Sequence, residues 1–243
     1  MSASRTLPRL VVWDLKMQAR ENIYQFTVLT TLAFSTILWL LPKPAPASIV
    51  TGVLFLDPAV VGLSFVGAIV LMERSQNTLA ALAVSPARPA DYVLAKVVTL
   101  TLLTVAGGMA LVCVAYWPLP LAKAIRFIIA MAFTGTLGVV GGILVVITAN
   151  SLNHFIARAF PISVVLYLSY LPHFNVVRGN WAWILFGFNP GHAMLRSLLW
   201  AADLSKITTA EAIYAFGYMG LLIVVFFAWA LRLFRNNMTR SVA

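Results

Sequence analysis

The chain has 243 residues, of which 61% are apolar and only 10% charged, and its mean hydropathy is +0.93; a water-soluble globular domain does not have this composition. Its net charge is +10, but the basic residues lie beside apolar runs and form no separate domain, which suits anionic lipid and argues against nucleic acid. The single cysteine, Cys113, falls within an apolar run, so neither a disulfide framework nor a thiolate metal site is expected.

Residues 5–20, RTLPRLVVWDLKMQAR, set Leu7, Leu10, Val11, Leu15 and Met17 among basic residues with Trp13 nearby. This is the pattern of a basic amphipathic helix lying on the cytoplasmic leaflet; a disordered basic tail is the plainer alternative, which explains Trp13 and the apolar residues poorly. Apolar runs follow at Ile23 to Leu41, Ile49 to Met72, Val93 to Tyr116, Ile125 to Thr148 and Ala212 to Leu231. Crossing a hydrocarbon core of about 30 Å takes roughly 20 helical residues. A shorter sixth run, Phe155 to Leu171, contains Pro161, which a membrane helix tolerates where neighbours satisfy the freed backbone group. The expected fold is therefore one all-α polytopic membrane domain over residues 1–243 with six transmembrane helices. With the N-terminus inside, 11 of the Lys and Arg residues fall on the inner side and 6 on the outer, which places both termini in the cytoplasm. Ala45-Pro46-Ala47 resembles a signal-cleavage site, but the preceding apolar run exceeds the roughly 7–15 residues of a signal core, so an uncleaved first span is expected.

Between these runs, Pro42 to Ser48 forms a short external turn with Ser48 as a helix N-cap. Asp57, beside Pro58, is open to two readings: a carboxylate within a span, facing a cationic substrate or holding a proton, or a cap at a helix start. Gly135, Gly138, Gly141 and Gly142 give the fourth span small surfaces for close packing, with a GxxxG between Gly138 and Gly142. The segment from 172 to 207 holds two helical patterns too short to span, joined by Asn189-Pro190-Gly191. They are expected to dip into the outer leaflet or lie on it, with Trp181, Trp183 and Trp200 at headgroup level. Thr208 and Glu211 form a T-x-x-E capping box opening the last span.

The usual catalytic sets do not occur. There is no H-E-x-x-H, no paired carboxylates at helical spacing within a span, no G-x-S-x-G and no phosphate-binding G-x-x-x-x-G-K-[ST]. His154 is expected inside and His173 and His192 outside, where the latter two could meet; a structural role is expected for loop histidines lacking a carboxylate partner. Neither enzyme activity, a metal nor a cofactor is expected of this chain, and ATP would have to be bound by another.

One polar stretch interrupts the apolar pattern: MERSQNTLAALAVSPARPADYVLAK, Met72 to Lys96. ERSQNTLAALAV is a good helix former with Leu79, Leu82 and Ala83 on one face. Pro86 disfavours helical geometry at Ser85 and P-A-R-P turns the chain back. A short helix over 73–86, its Ala/Leu face rimmed by Arg74, Gln76, Asn77 and Thr78, suits a groove on a partner; a solvated loop is the plainer alternative.

This stretch resembles the segment after the second span in type-2 ATP-binding-cassette exporter permeases, through Glu73, Thr78, Leu79, Leu82, Ser85, Pro86 and Lys96. Asn77 stands where glycine is frequent and Ala81 where an acidic residue is frequent. The six spans, the N-terminal amphipathic helix and the broken external hairpin extend the likeness, and small bacterial fluoroquinolone-export permeases look nearest. The resemblance implies that 73–86 is a coupling helix held by a separate ATPase subunit that binds ATP and Mg. Two permease copies would pair with two ATPase copies in a bacterial inner membrane. Glu73 would orient the helix, Arg74, Asn77, Thr78, Leu79, Leu82 and Ser85 would meet the ATPase, and Pro86 would set the exit angle. Asp57, Phe65 and Asn150 are candidates for the substrate path, and Trp181, Trp183, Asn189 and Pro190 for an external gate. An amphipathic drug-like or lipid-like substrate is expected. The alternatives are a permease for haem or another biogenesis cofactor, and a membrane assembly factor without transport.

Overall fold

The computed structural model describes residues 6–43, 45–60, 63, 65–76 and 88–240, with backbone alone at 57–60 and 235–240. No strand occurs among the described residues. The helices are α1 (Thr6–Arg20), α2 (Ile23–Leu40), α3 (Ala47–Val60), α4 (Val66–Ser75), α5 (Pro89–Ala115), α6 (Leu121–Ile147), α7 (Leu152–Tyr167), α8 (Tyr170–His173), α9 (Asn180–Phe186), α10 (Pro190–Ala202) and α11 (Thr209–Arg240).

Five helical stretches are long and apolar enough to cross a membrane: α2, α5, α6, residues 152–173 over α7 and α8, and α11 up to Phe234. The run from Ile49 to Met72 departs from the expected single helix. It is split into α3 and α4, of 14 and 10 residues, with π-helical geometry at Leu63 and Phe65 between them. Pro58 contributes to the irregularity, since it has no N–H to offer the Leu54 carbonyl one turn earlier.

The α5–α6 hairpin is the centre of the bundle. Its helices approach closely where glycine permits: a Cβ at Gly108 would fall 2.6 Å from the Met131 sulfur, and one at Gly135 would fall 3.2 Å from a Thr104 methyl carbon. Two hydrophobic clusters lie along this hairpin. One joins Leu54, Phe55, Leu111, Met131 and Leu198; the other joins Val66, Ile69, Leu100, Ile143 and Phe155.

Two elements show packing that the sequence pattern does not reveal. α1 is a helix as expected, but its buried residues are Asp14, Met17 and Gln18, while Val12 and Leu15 are exposed. The helix therefore turns polar groups towards α5. α10 does not lie on a surface. Its buried residues run from Gly191 through Met194, Leu195 and Leu198 to Ala202, and the helix packs against α3, α6 and α11. Only Pro190, Arg196 and Trp200 escape full burial, so the 13-residue helix is apolar on nearly every side because it is enclosed on nearly every side.

Candidate functional site

A buried ionic cluster lies where α1, α4 and α5 meet. Lys96, two turns into α5, donates to Glu73 Oε1 at 2.5 Å and to Asp14 Oδ1. Asp14 Oδ2 accepts from the Thr99 hydroxyl and, at 2.8 Å, from Gln18 Nε2, and Tyr92 donates to Glu73 Oε2. Every carboxylate oxygen thus has a donor, although two acids face one lysine and all three side chains are buried. Buried charges persist only with such pairing and hydrogen bonding. The Lys96 ammonium also lies 5.7 Å from the Trp13 ring, and Tyr92 stacks on Phe234 of α11 at 5.2 Å.

Next to this cluster, Arg74 donates to the carbonyls of Ala149 and Ile147, at 2.6 and 3.1 Å, and Arg158 donates to that of Thr148 at 2.7 Å. Two arginines thus satisfy the carbonyls at the end of α6, where the helix dipole also favours cations. Arg74, expected on the rim of a docking face, is half-buried and directs its guanidinium to these carbonyls at the end of α6. Glu73 is buried beside Lys96 and presents no surface to a partner. Asn77, Thr78, Leu79, Leu82, Ser85 and Pro86 lie outside the described residues.

The substrate-path candidates fall on separate elements: Asp57 on α3, Phe65 just before α4 and Asn150 after α6. Phe65 packs edge-on against Phe26 at 5.4 Å, and Asn150 is exposed in the turn after α6. The Asp57 side chain lies outside the described residues. Its backbone is within α3, which starts at Ala47, so the reading of Asp57 as a helix-start cap is corrected. Ser48 is likewise inside the first turn of α3, where its carbonyl accepts from His173 Nε2 at 2.8 Å; the helix begins at Ala47, two residues too early for Ser48 to cap it.

At the opposite end of the bundle, the turn before α10 is held from three sides. Asn189 caps α10 by accepting from Gly191 N at 2.9 Å and donates to the Val165 carbonyl at 2.6 Å. Tyr214 and Tyr218 of α11 donate to the carbonyls of Gly187 and Phe188. Pro190 occupies the first turn of α10, where its missing N–H costs nothing. Trp183 meets His192 and Tyr214 edge-on, at 5.3 and 5.0 Å, whereas Trp181 is exposed. Arg196 bridges to Glu211 at 3.3 Å. The expected Thr208–Glu211 capping box is present, with Thr208 N donating to Glu211 Oε2 at 2.8 Å and Glu211 N donating to the Thr208 hydroxyl at 3.3 Å. His173 and His192 have separate partners, and the described residues contain no group of three or more metal-type ligands. Burial, with Arg196 beside it, pushes His192 down to about 4.

The sequence points to Glu73 and Lys96 only through a family likeness, and it gives no sign of Asp14, Gln18, Tyr92 and Thr99 as their partners. The available signal is a lysine two turns inside a helix that continues as an apolar run, since such a lysine needs a partner acid. Comparisons with protein-family models, with curated proteins and with solved structures find no match for this chain.

Proposed function

We propose that the chain is the membrane subunit of an ATP-driven exporter, worked through residues 73–86 by a separate ATPase. The observation that carries this reading is the Asp14–Lys96–Glu73 cluster, which sits at the start of that segment. Glu73 lies four positions ahead of Asn77. A displacement of the segment would act on Glu73 and, through Lys96 and Asp14, on α5 and α1 together. Such a linkage suits a chain moved from outside by a partner, and the sequence likeness of 73–96 to exporter permeases points the same way.

In this reading α3 and α4 together make the second of six spans, both termini are cytoplasmic, and a second permease copy completes the transport path. ATP and Mg are bound by the ATPase dimer. The substrate is an amphipathic drug-like or lipid-like compound. Isolating the chain from its native membrane in mild detergent tests the proposal. An ATPase should co-isolate in equal amount, and its ATP hydrolysis should require the permease for stimulation by amphiphiles; a chain that isolates alone from native membranes would overturn it.

A further inference from the structure

Between α6, α7 and α11 is a cavity of about 800 Å³, within the roughly 300–1,000 Å³ typical of small-molecule sites. Its walls are apolar along most of their length, and Pro190 and Met194 of α10 bound one end. The other end reaches Thr148 and Arg158. From Leu137 to Thr148 the α6 wall is about 16 Å long at ~1.5 Å per residue.

The cavity is open sideways. A Cβ at Gly141 would meet nothing within 4 Å, so this part of the glycine-rich stretch, expected to pack against a helix, has no helix on it. Ile162 and Trp229 line the cavity and stay 42% and 54% exposed, which leaves an apolar mouth between α7 and α11. The polar end has one sign. Arg158 uses one nitrogen on the Thr148 carbonyl, and among the described residues no carboxylate is within ion-pair reach of it.

We propose that this cavity holds an acyl chain of an anionic phospholipid drawn from the leaflet on the α1 side, with its phosphate against Arg158. A lateral apolar mouth admits a ligand already in the membrane, and the arginine at its polar end selects the headgroup. A chain leaving bulk lipid gains little from apolar contact, because lipid tails are as apolar as leucine; headgroup charge must therefore supply the preference. Binding needs no ATPase, so the outcome is independent of the transport reading.

The test is native mass spectrometry of the full chain in detergent with equal amounts of phosphatidylglycerol and phosphatidylcholine. Phosphatidylglycerol should be retained about fivefold over phosphatidylcholine, the discrimination expected of one arginine at a lipid surface. Arg158→Gln should bring the ratio near one, and Gly141→Phe should abolish retention. Ile162→Trp fills the cavity from the other wall and serves if Gly141→Phe does not fold. Equal retention of the two lipids, or unchanged retention in a folded cavity-filling variant, would overturn the proposal. So would displacement by palmitate or inorganic phosphate at equal concentration, or a change of oligomeric state in a filling variant with lipid unaffected, which would put a second copy in the cavity.

Discussion

Lys96 and Glu73, 23 positions apart, form an ion pair at 2.5 Å with both side chains shut off from solvent. Among the described residues Lys96 alone bridges Glu73 and Asp14, so removing it leaves these two buried carboxylates without their shared cation. Breaking a buried pair from one side costs about 3–5 kcal/mol. Lys96→Met should therefore lower the thermal midpoint in detergent strongly, and adding Glu73→Gln and Asp14→Asn should restore part of the loss. A Lys96→Met protein that melts like the parent would show that the cluster contributes no stability.

Two glycines should respond oppositely to alanine. A Cβ at Gly67 would fall 2.1 Å from the Phe155 ring, and that ring is buried in the core. Overpacking of this kind costs about 1–3 kcal/mol, and Phe155→Leu in the same chain should relieve it. Gly141 faces open space, and alanine there gains up to about 1 kcal/mol of helix propensity. Thermal melts of Gly67→Ala, Gly67→Ala/Phe155→Leu and Gly141→Ala check the order.

His192 should make stability pH-dependent. Its folded value is pushed down to about 4 from the ordinary 6.5, so the unfolded chain binds more protons between these values. Its contribution is complete above pH 6.5 and is lost as pH falls towards 4. Arg196, Glu211, His173, Trp183 and Tyr214 surround the imidazole. Melts from about pH 7.5 down to about pH 4 should show a decline that is shallower in His192→Phe; equal slopes would contradict the assignment.

Apolar run length is enough to find α2, α5, α6 and α11, because spanning a membrane imposes a length on the sequence. The Thr208–Glu211 box is legible for a similar reason: both partners lie within one turn. Asp14, Lys96 and Thr99 are not legible as a cluster, since their meeting depends on how α1 crosses α5, which local pattern does not encode. The split between α3 and α4 is hidden in an apolar run whose one charged interruption, Asp57-Pro58, suits a helix start as well as a helix break. The burial of α10 is hidden too, because its length of 13 residues suits a surface helix as well as an inserted one.

The proposed function turns on residues 73–86 joining this chain to a separate ATPase. The most direct measurement compares the parent with Leu79→Asp/Leu82→Asp, isolated from native membranes under the same conditions and assayed for bound ATPase. The predicted result is an ATPase that co-isolates with the parent and is released by the double change, while the permease stays folded in the membrane. An ATPase that stays bound to a folded double variant, or one that never accompanies the parent, would contradict it.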